Sequence, residues 1–326
     1  MKNFWQKLSR STKSGQAILA LAPMAGITDS AFRQICRKYG ADVVYSEMAS
    51  VSALYYKPEK TLELLKFDKK ERPYVVQLFG KNPEHFAKAA RIVSEKIKPD
   101  GIDINFGCPA KKVFAHGSGC ALMLDIKSAR KIIAAVLQNT TLPISIKIRA
   151  GVRNISALKF IEKIKDLNFS AIMVHGRTYE DGFGGSVNYT LAQKIKKIVP
   201  TKIVLLNGGI TSPEQAQDIL TKYPEIDGLG IGRGVLGKPW LFNEIRFLLK
   251  TEAKLRGTSP KLSFCDVRKI ILYHAKLIYQ NKPQSGAFEI RKHLAWYVRG
   301  FPGAAEMRKK LVQTKNLKEI REILKK

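Results

Sequence analysis

The chain has 326 residues, and its 57 Lys and Arg stand against 27 Asp and Glu, a formal net charge of +30 on an otherwise ordinary globular composition. That length holds one large core with a small appendage, and so positive a surface fits nucleic acid or an anionic membrane unless it serves only to keep the protein dissolved. Four cysteines, at positions 36, 108, 120 and 265, form neither a disulfide framework nor a paired metal spacing, so no metal is expected and a reducing, cytoplasmic setting is.

Lys2, Lys7, Arg10 and Lys13 precede the apolar run Ala17–Ala22, an arrangement that imitates a signal peptide. The run is too short for one, and no later stretch approaches a membrane span, so it reads as a first strand. From there one theme repeats: a short apolar run, a turn, then an amphipathic stretch. Strands are expected at Ile18–Ala22, Asp42–Tyr45, Tyr74–Leu78, Gly101–Asn105, Ile144–Ile148, Ala171–Val174, Ile203–Leu206 and Asp227–Ile231. Helices are expected at Ser30–Tyr39, Pro83–Ile97, Ile126–Leu137, Ile155–Asn168, Thr190–Ile198 and Pro213–Lys222. Eight strands alternating with helices imply parallel pairing and a closed (β/α)8 TIM barrel. An open doubly wound sheet would need a glycine fingerprint after the first strand, which Pro23-Met24-Ala25-Gly26 is not.

In such a barrel the C-terminal strand ends face the site. They read Pro23-Met24-Ala25, Glu47, Gln77, Asn105 with Cys108, Lys147 with Arg149, His175 with Arg177, Asn207-Gly208-Gly209 and Gly232-Arg233-Gly234. The last two sets fall where barrels hold a phosphate, with glycines that let backbone N–H groups approach an anion and Arg233 as a bidentate cation. Plain turn chemistry is the other reading of those glycines, and His175 taken alone fits a satisfied core histidine equally well.

In Gly101–Cys120, Ile102, Ile104 and Phe106 alternate with smaller or polar residues, and Gly107, Pro109 and Gly117 end the strand. Cys108 thus follows a strand end beside Asn105, Lys111 and Lys112, a polar and electropositive turn that suits a reactive thiol. On spacing alone an inert buried cysteine is an equal reading.

Past the eighth strand, Pro239 opens an amphipathic stretch to Lys250, and Gly257-Thr258-Ser259-Pro260 reads as a linker. Two domains are expected, 1–250 and 251–326. The second carries 18 Lys and Arg against 6 Asp and Glu, a net of +12, with Val267, Ile270, Ile271, His274 and Leu277 at helical spacing. Its segment from Ile290 to Gly303 interleaves Arg291, Lys292 and Arg299 with Trp296, Tyr297 and Phe301. That pattern grips phosphates and stacks on unpaired bases, or else packs its aromatics into a helical core.

The order Asn-x-Gly-Cys-Pro at 105–109, then Val113, then Gly119-Cys120 resembles the signature of the tRNA-dihydrouridine synthases, of the bacterial B-type subgroup, flavoenzymes that reduce uridine in tRNA. The resemblance implies FMN held by Pro23, Met24, Ala25, Gln77, Lys147, His175, Asn207, Gly208, Gly209, Gly232 and Arg233. Gln77 suits the amide edge of the ring, and Lys147 its N1 and O2 end, where negative charge collects on reduction. Gly209 departs from the family, whose members often carry Asp there. It further implies hydride transfer to C6 of the uracil and a proton from Cys108 to C5. Thiols, with a reference pKa of about 8.5, stay mostly protonated near neutral pH yet are acidic enough to donate. Asn105 would orient the base, and Lys111, Lys112 and Arg177 would meet the base edge or nearby phosphates. The C-terminal string resembles the helical tRNA-binding domain of the same enzymes, with Arg291, Lys292 and Arg299 on the RNA. The expected partners are tRNA, through a uridine of the D-loop region, and NADPH or NADH; no membrane is expected, and a monomer suffices. A barrel flavoprotein for a free metabolite needs no basic C-terminal domain, and a non-catalytic RNA-binding barrel needs no Cys108.

Overall fold

The computed structural model describes residues 3–12, 16–250 and 262–325. Eight parallel strands close into a barrel: β1 Ile18–Leu21, β2 Val43–Ser50, β3 Tyr74–Phe79, β4 Gly101–Phe106, β5 Ile144–Arg149, β6 Ala171–His175, β7 Ile203–Asn207 and β8 Gly228–Ile231. Each neighbours the next in sequence, and β1 pairs with both β2 and β8 to close the ring. All eight expected strands are present. β2 runs five residues further than expected, through a register shift between Tyr45 and Met48 that carries Glu47 and Met48 to the barrel mouth.

The alternation along each strand divides the barrel into two layers. Outward residues such as Leu19, Val76, Ile104, Ile146, Val174 and Leu206 are fully buried under the helices. Inward residues near the strand starts, including Ile18, Val43, Tyr45, Val75, Ala171 and Ile203, form a separate apolar plug. Trp5, on the helix Phe4–Thr12 that sequence periodicity does not predict, belongs to that plug at 1% exposure. Toward the strand ends the inward residues turn polar, from Gln77, Asp103 and Asn105 to Lys147, His175 and Asn207. Water is thus shut out at the bottom and chemistry is gathered at the top.

Helices start at side-chain caps: Asp29 before Ser30–Lys38, Asn82 with proline at the first position before Pro83–Ile92, and Ser212 likewise before Pro213–Lys222. The helix expected at Ile155–Asn168 is shorter, Ala157–Glu162: Gly151–Val152 and Ile155–Ser156 pair as a small hairpin before it, and the chain passes into turns after Glu162. The short helices Val51–Tyr56 and Glu59–Leu64 fill the connection from β2 to β3.

Beyond Leu241–Leu249, the expected linker at 257–260 lies outside the described residues. Four helices follow: Phe264–Asn281, Gly286–Tyr297, Ala304–Leu311 and Leu317–Ile323. Their core joins Val267, Ile271, Ile290, Leu294 and Tyr297 to Ala31 and Ile35 of the barrel helix Ser30–Lys38 and to Trp240 after β8. Because β1 and β8 are neighbours, this unit is seated on one sector of the barrel. Among the described residues, no helix is long and apolar enough to cross a membrane.

Candidate active site

A cavity of about 940 Å³ opens at the C-terminal ends of the strands, near the top of the usual range of about 300–1,000 Å³ for small-molecule sites. Every residue expected against a cofactor, from Pro23-Met24-Ala25 to Gly232-Arg233, lines it, together with Cys108, Asn105 and Lys111.

The wall built by β3, β4 and β5 is a chain of hydrogen bonds. Asp103, fully buried, accepts from Ser145 Oγ at 2.6 Å and from Gln77 Nε2 at 2.7 Å. Gln77 Oε1 in turn accepts from Asn105 Nδ2 at 2.9 Å. Asn105 Oδ1 accepts from the backbone amides of Gly107 at 3.0 Å and Cys108 at 2.8 Å, which holds the turn that carries the thiol. A carboxylate only accepts, so its place at the foot of the chain dictates which way both amides point. Burial pushes the Asp103 carboxyl up to about 6 against the pull of its two donors. Gly119, at φ 62°, shows why the motif has glycine before Cys120: a Cβ there would lie 3.0 Å from both Cβ and the carbonyl oxygen of Cys108.

Lys147 stands at the seam. Its Nζ donates to Asn207 Oδ1 at 3.1 Å, and desolvation, with the neighbouring Arg149 cation, pulls its ammonium down to about 8. On the wall built by β6, β7 and β8, His175 Nδ1 is buried without a hydrogen-bond partner among the described residues. Desolvation and the cations Lys147, Arg149 and Arg177 push its imidazole down to about 2, so it is neutral at ordinary pH. Gly208 has φ 113°, and a Cβ there would sit 3.1 Å from His175 Nε2. The space an Asp at 209 would need is taken by Tyr189 Oη, 2.8 Å from the Cβ position. Arg233 meets the loop after β6, its guanidinium 4.4 Å from the Phe183 ring centroid.

Other expected residues lie elsewhere. Lys112 follows Lys111 on the helix Lys111–Ala115, and a step of about 100° takes it off the cavity wall. Arg177 does not line the cavity; its Nε donates to the Gly185 carbonyl. Arg291 gives its fork to the carbonyl of Thr314, at 3.1 and 2.9 Å, and Lys292 pairs with Glu289 at 2.7 Å. Arg299 is exposed but is not part of the wall. Conversely, Met48, Tyr179, Phe183 and Trp296 line the cavity without a sequence signal that assigns them there. Arg149, visible only as a strand-end cation, is 2% exposed and donates to the carbonyls of Gly107, Thr178 and Gly182. It ties the cysteine turn to the loop after β6.

The family model described as dihydrouridine synthase matches residues 20–326 of the chain. The chain is a member of the dihydrouridine synthase family. It is 37% identical over 293 residues to the tRNA-dihydrouridine synthase B of Pseudomonas aeruginosa, covering 89% of this chain and 86% of that one. It is 32% identical over 308 residues to the probable tRNA-dihydrouridine synthase 1 of Synechocystis sp., covering 93% and 84% respectively. The dihydrouridine synthase match starts within β1 and runs to the last residue, so it takes in the barrel and the helical region together.

Proposed function

We propose that the chain reduces the C5–C6 double bond of uridine in tRNA, with FMN at the barrel mouth, NADPH or NADH as electron donor and Cys108 as the acid that protonates C5. The observation that carries this reading is a thiol on the β4 turn sharing one cavity with the glycine turns after β7 and β8. The residues fit FMN. The glycines and Arg233 form a cradle for a phosphate, the neutral His175 ring and the Lys147 ammonium line the cavity where a polar, electron-rich ring edge would lie, and Gln77 keeps a second amide hydrogen for that edge. When bound, the flavin supplies the hydride for C6, having taken it from the nicotinamide.

The chain does the rest. Cys108 Sγ passes its proton to C5, and the charge left on sulfur faces Lys147 and Arg149, both of which interact with it electrostatically. Asn105 holds the turn so that the thiol stays aimed at the cavity. A stacked uridine cannot enter, so the base is swung out of the RNA into the barrel mouth. The division of labour is a cofactor-holding barrel up to residue 250 and an RNA-gripping helical part after it. The test is Cys108→Ala: the purified variant keeps its yellow flavin and its reduction by nicotinamide but forms dihydrouridine about 10²- to 10⁴-fold more slowly. Undiminished product rules out the acid role.

A further inference from the structure

We infer that Trp296 is a stacking platform for an unpaired RNA base at the cavity mouth, so that the basic helical region forms part of the site as well as its handle. This rests on the tRNA reading above. Among the described residues lining the cavity, Trp296 is the single one supplied from beyond residue 236.

Its position is built. Gly237, at φ 72°, lies so close that a Cβ there would meet the Trp296 carbonyl oxygen at 2.4 Å, so the end of the helix Gly286–Tyr297 beds directly on the loop after β8. The next residue, Tyr297, is 1% exposed, stacks on Trp240 at 6.4 Å and shares a hydrogen bond with His274 Nδ1 at 3.0 Å. Tyr297 anchors the helix. The Trp296 ring stands edge-on to the buried His293 at 5.4 Å and 89°, which supports it from behind and leaves it only partly buried. An indole kept at a cavity wall, three residues before the exposed Arg299, offers a broad π face with a cation at hand. Bases stack on such a face whatever their identity, while the phosphates between them take the cation. An extruded uridine loses its stacking partners, and a platform at the mouth replaces one of them.

The experiment compares Trp296→Ala and Trp296→Phe with the unaltered, flavin-loaded protein. The alanine variant loses about 5- to 150-fold in kcat/KM for tRNA, the range of one base–aromatic stack, while FMN affinity and flavin reduction by nicotinamide without RNA stay unchanged. The phenylalanine variant recovers most of the loss. In flavin-free protein, a single-stranded RNA loop quenches indole emission, and the quenching disappears in Trp296→Phe, because Trp5 and Trp240 are only 1% and 9% exposed. An equal loss of FMN affinity in Trp296→Ala, unchanged tRNA kinetics, or quenching that persists in Trp296→Phe overturns the inference. Wild-type protein that forms no dihydrouridine yet shows Trp296-dependent quenching overturns the proposed function and leaves the platform in place.

Discussion

Along β3, β4 and β5 the side chains at the cavity are bound to one another: Asp103 to Gln77, Gln77 to Asn105, Asn105 to the backbone of the cysteine turn. Along β6, β7 and β8 the wall is less tied together, with His175 on the cavity, left-handed glycines at 208 and 209, and Arg233 against the Phe183 loop. Buried polar groups are nearly always satisfied, so the first wall has spent most of its capacity on its own geometry, with one Gln77 amide hydrogen left over, while the glycine backbone and Arg233 of the second are left for a ligand. In the proposed reaction the first aims an acid and the second binds an anion and a ring. Two basic groups of β5 span both: Lys147, bonded to Asn207 of β7, and Arg149, which joins the cysteine turn to the loop after β6.

Breaking the first wall gives the larger effect. Asp103→Ala orphans two buried donors, Gln77 Nε2 and Ser145 Oγ, each at a cost of about 1–3 kcal/mol, so denaturant unfolding shows a loss of several kcal/mol. Freed of its anchor, Gln77 no longer fixes Asn105, and re-oxidation of the reduced flavin by tRNA slows. Asp103→Asn restores most of both, since its amide accepts from Gln77 and donates to Ser145. Equal damage in the two variants means that charge, and not hydrogen-bond geometry, is what this site needs. In the second wall, Gly208→Ala puts a side chain at φ 113° and crowds His175. That strain costs about 1–3 kcal/mol and weakens FMN in a fluorescence titration, with the thiol's reactivity unaffected. A flavin affinity equal to wild type removes Gly208 from the cofactor wall.

Much of this was legible because a parallel barrel converts order along the chain into position around a ring. Gln77, Cys108, Lys147 and the turns at 207–209 and 232–234 each fall at or just past the C-terminal end of a short, largely apolar run, and that is enough to place them at the mouth. What sequence order does not encode is direction. Lys111 and Lys112 are neighbours in the chain yet only one lines the cavity. Arg291 and Lys292 are neighbours too, yet they turn to different partners, the Thr314 carbonyl and the Glu289 carboxylate. Trp296 and Tyr297 read alike, and the seat at Gly237 sends one to the cavity and the other into the core. Asp103 was masked by its setting, a polar residue in an apolar strand, and only closure of the barrel shows that its face is the interior. The connection from β2 to β3 was invisible for another reason: its two helices have six residues each, too few turns to show a period.

The seam between the walls gives the finest test. An ordinary lysine keeps its charge to about 10.5, but burial and the Arg149 cation bring Lys147 down to about 8. The sign follows directly: below pH 8 the ammonium is present to meet the electron-rich edge of a flavin, and above it the neutral amine predominates in the ligand-free protein. A bound flavin that favours the cation must then pay for protonating it, so the dissociation constant rises with pH above 8, by at most about tenfold per unit for a single proton. Below 8 it stays flat. Lys147→Arg keeps its charge throughout and removes the pH dependence, whereas Lys147→Met removes it by binding weakly at every pH. Flavin titrations between pH 6.5 and 9.5 separate the cases, by design at roughly half-unit steps across the bend expected near 8. A wild-type curve flat across that bend, or one that Lys147→Met reproduces, places the charge that flavin reads on some other group and assigns Lys147 to holding Asn207 alone.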